Sequence, residues 1–273
     1  IGQNEYARKI VSDYETKFKV NLKGKSAPLP ADVSCADEHE PSTIVGDRMR
    51  SPIGALLYLS RSSRPDITFA VSYLSRFMTV WTPHHTMLIE HLLGYIKSTC
   101  EKKDKLAYTI NEGDSWENLK LVCYSDADFK QPRSTSGYII LLEGENGTRI
   151  PLEWASKRQT LTATSSGESE SYAAAFAVKR LMSISTLISE TRNSDKPVQI
   201  VLRLDNNAVI TAIRHGMSLM MSHLKRHAGV CFQFLSQVGM EVEYVKSSDN
   251  IADAFTKSLT GPQVKYLFKG LFE

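Results

Sequence analysis

Three apolar segments follow one another between Leu119 and Gln159 with only turn-length breaks between them: LKLVCYSDADF (Leu119–Phe129), GYIILLE (137–143) and IPLEWASKRQ (150–159). The breaks, KQPRSTSG and GENGT, are polar and rich in turn formers. Strands this close in sequence join as antiparallel hairpins, because a parallel return needs a long crossover. The spacing then turns helical. TATSSGESESYAAAFAVKRLMSISTLI (Thr162–Ile188) reads as one long helix and KPVQIVLRLD (Lys196–Asp205) as a strand. A short helix, NNAVITAIRHG, closes at Gly216, and another runs from about Ser222 to Val238. The strand MEVEYVK and a last helix in SDNIADAFTKSL complete the order β-β-β-α-β-α-α-β-α. Hairpins followed by strands alternating with helices predict a mixed sheet with helices on its faces, an α/β fold.

The first part of the chain is patterned differently. Residues 4–18 have helical spacing, and KGKSAPLPADVSCADEHEP (Lys23–Pro41) has three prolines and no periodicity, so it reads as a linker or strap. From Ser51 a helix is predicted with Pro52 at its first position, a second opens at Pro65, and a third spans Pro83 to Ser98. Leu56, Leu57, Phe69, Val71, Leu74 and Phe77 are its core candidates. The 273 residues then divide into a helical region, 1–112, and a sheet domain, 113–273.

Composition excludes several classes. No apolar run is long enough to span a bilayer. A net charge of +3 gives no general attraction to polyanions, so any basic surface is local. The four cysteines are far apart, with no CxxC and no Cys/His zinc spacing, which predicts a reducing compartment, cytoplasmic or nuclear, and no secretion. A start at Ile1 without a signal pattern points to a fragment or a processed product.

Four acids stand out by position. Asp126 lies inside an apolar strand, where a charge is costly unless it is paired or binds a metal. Asp205 ends the strand VQIVLRLD, where α/β sheets place their ligands. Asp253 follows the last strand. Glu170 shares a helix face with Ala173, Ala177, Leu181, Ile184 and Ile188, so it points along the buried stripe toward the sheet. Glu168 lies about 160° away at about 100° per residue, which predicts a solvent-facing acid. Three aspartates and a glutamate suit hard divalent cations such as Mg²⁺ or Mn²⁺. Each acid alone has an ordinary reading as a cap, a helix-dipole partner or a surface residue; four on consecutive core elements are harder to explain that way.

These stretches resemble a known family. YSDADF, RSTSGYIILL, LEWASKRQ, SSGESESYAA, RLDNNAVI and EVEYVKSSDNIADAFTKSL look like the ribonuclease H domain of Ty1/copia-type LTR retrotransposon Pol polyproteins. YARKIV and RSPIGALLYLSRSSRPDITFAVSYLSRFM look like the segment that follows the reverse transcriptase in the same elements. The resemblance implies a ribonuclease H-like fold after a thumb- or connection-like helical region. It implies an endoribonuclease that cuts the RNA strand of RNA/DNA hybrids with two Mg²⁺ ions held by Asp126, Glu170, Asp205 and Asp253. Phe129 and Ser258 depart from the family pattern, but neither replaces a ligand. No Asp-Asp pair occurs, so the polymerase site of the family is not in this chain and would be a separate partner. The alternative is a domesticated fragment without catalysis, binding nucleic acid or protein.

A hybrid needs phosphate contacts from basic and polar side chains. The candidates beside the acidic elements are Lys157, Arg158 and Gln159, then Ser165 and Ser166 at the long helix's start, Asn206 and Asn207 beside Asp205, and His223, Lys225 and Arg226. His223 and His227 stand four residues apart without a third metal ligand nearby, and Trp81 and Trp154 read as core.

Overall fold

The structure, a computed structural model, describes residues 2–31, 33, 42–100, 106–130, 132–192, 197–215 and 226–272. The chain packs as two units, Ile1–Ala107 with Lys257–Glu273, and Tyr108–Thr256. The division expected after residue 112 falls at Ala107, and the C-terminal segment groups with the helices rather than with the sheet.

The helical unit contains α1 (Asn4–Phe18), α2 (Thr43–Ser62), α3 (Thr68–Ser75) and α4 (Pro83–Thr99), with a 3₁₀ turn at Pro65–Ile67 before α3. Its core gathers Ile10 and Val11 of α1, Leu56 and Leu59 of α2, Val71 and Leu74 of α3, and Leu88 and Leu92 of α4. Leu57 and Phe77 are only partly buried against it. Pro52 lies inside α2, not at its start. The helix begins at Thr43 because the Ser42 hydroxyl accepts the Val45 N–H (3.4 Å), a cap that the reading from Pro52 overlooked. The proline forfeits one helical hydrogen bond. Burial of Met49, Ile53 and Leu56 around it offsets that loss. The described part of the proline-rich segment is an extended strap; Leu29 is buried in this core, and Lys25 N–H donates to Gly94 O (3.3 Å).

The sheet unit bears out the strand reading. β1 (Lys120–Asp128), β2 (Thr135–Glu143) and β3 (Arg149–Arg158) pair antiparallel in sequence order. The long helix α5 (Ser166–Arg192) then crosses over, and β4 (Ile200–Leu204) pairs parallel to β1. After α6 (Asn207–His215) and α7 (Arg226–Gln237), β5 (Glu241–Tyr244) pairs parallel to β4. The strand order is β3-β2-β1-β4-β5. This is the mixed five-stranded sheet with helices that the sequence resemblance implies. Leu121, Cys123, Ile140 and Leu142 of the sheet pack with Ala174, Ala177 and Leu181 of α5, Ile213 of α6 and Phe232 of α7. The expected caps at Gly216 and the start near Ser222 fall outside the described residues.

After β5 the sequence predicted one more helix in this unit. The chain instead makes two 3₁₀ turns, Ser247–Asp249 and Ile251–Phe255, and the next helix is α8 (Gly261–Leu267) in the other unit. The first turn has no buried residue, whereas all five residues of the second are buried. That second turn packs on Gly137, the strand partner of Asp126. A Cβ at position 137 would stand 2.7 Å from Phe255 Cβ and 3.0 Å from Ala252 O. Replacing Gly137 by Ala is therefore expected to lower stability by about 1–3 kcal/mol through overpacking. Urea unfolding of the two proteins measures it, and an unchanged midpoint would contradict the close packing.

Candidate metal centre

Strand register brings the first two acids together. Tyr124 of β1 pairs with Arg203 of β4, and the strands run parallel. Two residues further along each chain stand Asp126 and Asp205, level with each other on neighbouring strands about 4.8 Å apart. Asp253 arrives on the turn Ile251–Phe255, which lies over Gly137 beside Asp126. Carboxylate oxygens of Asp126, Asp205 and Asp253 all lie within 4.8 Å of one another, and the Asp126 and Asp253 side chains are buried. Three negative groups so close repel one another unless a cation sits between them. Their oxygens are the donors that Mg²⁺ and Mn²⁺ prefer, so the residues present fit a divalent ion.

Glu170 stands in the first turns of α5, half-buried. Burial pushes its pKa up to about 7, and the neighbouring charges of Asp205 and Asp126 push the same way, against a hydrogen bond from Asn206. Glu170 is thus near Asp205 and Asp126, but it is outside the group of Asp126, Asp205 and Asp253 whose oxygens lie within 4.8 Å of one another. Asn206 Nδ2 donates to Glu170 Oε1 (3.0 Å), and its Oδ1 accepts the N–H groups of Ala208 (2.9 Å) and Val209 (3.3 Å) at the start of α6. One side chain thus caps α6 and holds Glu170.

Two supporting residues escaped the sequence reading. The Thr256 hydroxyl donates to Asp126 Oδ2. Asn250, fully buried, accepts the Ala252 N–H (3.1 Å) and donates to Ser125 O (3.4 Å), which ties the turn of Asp253 to β1. The signal for Asn250 was present: an Asx residue directly before an apolar turn is a cap. Nothing in the sequence pattern marks Thr256.

Glu168 corrects an expectation. It is fully buried, not solvent-facing. Its carboxylate accepts the Thr164 N–H and hydroxyl (both 2.6 Å) and the Tyr172 hydroxyl (2.6 Å), while its own N–H donates to Ser165 Oγ (3.2 Å). Ser165 and Glu168 have the S-x-x-E spacing of a capping box, a signal that could have found this role. A single buried stripe was the wrong picture for this end of the helix. α7 also packs against α5, and Ser169, Ser171 and Ala174 are buried with Glu168.

The expected phosphate contacts scatter. Gln159 is buried; its amide nitrogen is spent on the protein, donating to Ser136 Oγ (3.0 Å) and Ser169 O (2.8 Å), while its Oε1 has no hydrogen-bond partner among the described residues. Ser165 caps α5 and Asn206 holds Glu170, as above. Lys157, Arg158, Ser166 and Asn207 are exposed. His223, Lys225 and the Arg226 side chain lie outside the described residues. Trp81 and Trp154 are buried. No helix among the described residues is long and apolar enough to cross a membrane.

Two outcomes separate the glutamates. Glu168→Ala removes the acceptor of three hydrogen bonds, from the Thr164 N–H and hydroxyl and the Tyr172 hydroxyl, and stability is expected to fall by about 1–3 kcal/mol. Unfolding in urea measures this; a loss no larger than that of an exposed glutamate would contradict it. For Glu170 the sign follows from the raised pKa. A carboxyl that titrates higher when folded costs stability as pH climbs from its ordinary value through the folded one. In EDTA the melting temperature of the wild type is therefore expected to drop between about pH 5 and about pH 8 more than that of Glu170→Gln. Parallel curves would contradict the placement of Glu170 among the acids.

No protein-family profile matches the chain. It is 29% identical over 224 residues to the retrovirus-related Pol polyprotein from transposon RE1 of Arabidopsis thaliana, covering 77% of this chain. The chain spans only 14% of the length of that polyprotein. It is 30% identical over 207 residues to an uncharacterised mitochondrial protein of the same plant, covering 71% of this chain and 74% of that protein. Among solved structures, RNase H1 of the halophilic archaeon Halobacterium salinarum is similar over 50% of this chain and 94% of its own, at 16% identity and a TM-score of 0.35.

Proposed function

We propose that the chain, which is similar to retrovirus-related Pol polyproteins of plant transposons, carries in its sheet unit a divalent-cation-dependent ribonuclease H. It cleaves the RNA strand of RNA/DNA hybrids and serves the reverse transcription of such an element beside a polymerase domain outside this chain. The observation that carries this reading is the cluster of Asp126, Asp205 and Asp253 within 4.8 Å, with Glu170 beside it.

Asp126, Glu170, Asp205 and Asp253 would hold the metal, as two Mg²⁺ ions or Mn²⁺ in their place. Such ions, when bound, activate a water for attack on the phosphodiester and stabilise the leaving oxygen. The protein's own part is positioning. Thr256 fixes the Asp126 carboxylate, Asn206 fixes Glu170, and Asn250 anchors the turn of Asp253. Asp126 and Glu170 are therefore each held by a partner on another element, and the backbone turn of Asp253 is anchored to β1, which spares the site reorganisation when substrate arrives. Ser166 and Asn207, exposed at the starts of α5 and α6, offer hydrogen bonds to the backbone of a hybrid. Selection of a hybrid over DNA rests on groove shape and 2′-hydroxyl contacts.

The test is incubation with labelled RNA/DNA hybrid, double-stranded RNA and double-stranded DNA, with Mg²⁺ or with EDTA. Cleavage of the hybrid's RNA strand alone, and only with the metal, is expected. Asp126→Asn is expected to lower the rate by more than about 100-fold, beyond what loss of an outer partner of a metal ligand costs. A folded wild-type protein that binds the hybrid in Mg²⁺ and leaves it intact would reject the enzyme and favour a non-catalytic binding module.

A further inference from the structure

Asp126 and Asp205 stand beyond the last paired residues of their two strands. The register of β1 with β4 runs from Leu121 with Ile200 to Tyr124 with Arg203. It stops short of the acids, whose like charges push the strand ends apart. The residues that end the register are joined by their side chains. Arg203 Nη1 donates to the Tyr124 hydroxyl (2.6 Å) and to Glu143 Oε2 (2.5 Å), and its Nε donates to Glu243 Oε2 (2.8 Å). The Tyr124 hydroxyl donates in turn to Glu143 Oε1 (3.0 Å), and Arg149 Nε donates to the same oxygen (3.3 Å). Glu143 belongs to β2, Tyr124 to β1 and Glu243 to β5, so one guanidinium ties together the four neighbouring strands β2-β1-β4-β5.

The network is closed. Its cations, Arg149 and Arg203, meet the anions Glu143 and Glu243, so their charges balance and call for no ligand. Its place gives it a role beyond sheet stability. Residues two apart on a strand share a face, so Tyr124 lies behind Asp126 and Arg203 behind Asp205, by about 7 Å at about 3.4 Å per residue. The guanidinium carbon of Arg203 also lies 5.4 Å from the Tyr124 ring centroid, a cation–π contact across the β1–β4 pair. A planar guanidinium holds carboxylates on both sides at a fixed spacing, which the single ammonium of a lysine does not.

We propose that Arg203 is a positioning residue of the metal centre: by clamping β4 to β1, β2 and β5 it sets the spacing of Asp126 and Asp205, and with it the affinity of the acids for a divalent cation. The proposal rests on reading these acids as a metal centre; it does not depend on the nucleic acid that is cut. Charge and geometry act here with opposite signs. A positive group near the acids competes with a bound cation, so loss of the Arg203 charge alone tightens metal binding. Loss of the clamp weakens it, as loss of outer partners of metal ligands does.

The experiment titrates the whole chain with Mn²⁺ and follows the free ion by electron paramagnetic resonance, without nucleic acid. Urea unfolding in EDTA reports the stability of each variant. Arg203→Met keeps most of the stem and removes the clamp; Arg203→Lys keeps the charge and loses the span. Both are expected to bind Mn²⁺ at least about tenfold more weakly than wild type. Tyr124→Phe, which changes no charge and keeps the ring, is expected to show a smaller loss in the same direction, and it carries the test if the arginine variants do not fold. The control is Arg180→Met, which breaks the pair of Arg180 with Glu153 (2.7 Å) in the same unit. It is expected to lower the urea midpoint and to leave Mn²⁺ affinity at the wild-type value. Unchanged or tighter Mn²⁺ binding in folded Arg203→Met or in Tyr124→Phe, an equal loss in the control, or no Mn²⁺ binding by the wild type would each overturn the role of Arg203. Cleavage of an RNA/DNA hybrid in Mg²⁺ is measured separately. If the wild type binds Mn²⁺, loses it with Arg203 and yet never cuts, the positioning role stands and the nuclease reading falls. If it cuts and Arg203→Met binds Mn²⁺ normally, the reverse holds.

Discussion

The parallel pairing of β1 with β4 is the constraint on which the site depends. A parallel neighbour cannot be reached by a tight turn; the chain must cross one face of the sheet and return. α5 is that crossover. Its start has to pass over the carboxyl ends of both strands, and so the helix that makes the pairing possible also carries Glu170 to Asp126 and Asp205. Had β4 run antiparallel, Asp205 would lie at the opposite end of the sheet from Asp126. Strand direction, more than any local motif, brings Asp126 and Asp205, distant in sequence, to one end of the sheet, where Asp253 joins them.

Much of this was legible in the chain, for physical reasons. Strand and helix periods differ, so the hairpins of residues 119–159 and the helix after them could be read from spacing. The mixed character of the sheet followed from strands alternating with helices after the hairpins, but the pairing of β1 with β4 did not. What was lost lay where one element has two neighbours. A helical wheel assumes one buried face, but α5 packs on both the sheet and α7, and Glu168 is buried with its carboxylate bonded to Thr164 and Tyr172. Pro52 misled because proline marks a helix start only where no earlier cap exists, and Ser42 supplies one. The end of the sheet unit was read as a helix because its apolar spacing is helical over a few residues, whereas close packing on Gly137 holds it as a short 3₁₀ turn. Gln159 looked like a surface amide next to two cations, but it follows the end of β3 and is turned inward to bond Ser136 and Ser169.

The two glutamates at the start of α5 divide their work according to what surrounds them. Glu168 accepts hydrogen bonds from backbone and hydroxyl donors, which secures the first turn. Glu170 is half-buried, has a single amide donor and faces other negative groups, which disfavours its charge. The first arrangement contributes stability and the second costs it, a pattern expected where an acid is kept for a ligand rather than for the fold.

The turn of Asp253 has a consequence in time as well as in space. It closes the sheet unit, whose last residue is Thr256, and Thr256 is also the partner of Asp126. On a ribosome the chain emerges from its N-terminal end, so β1 and its aspartate exist long before the two residues that complete and clamp the group. Until then Asp126 has neither its hydroxyl partner nor its third carboxylate. A nascent or prematurely ended chain can build the whole sheet and still lack the finished centre, so completeness of the unit is checked by its own final turn.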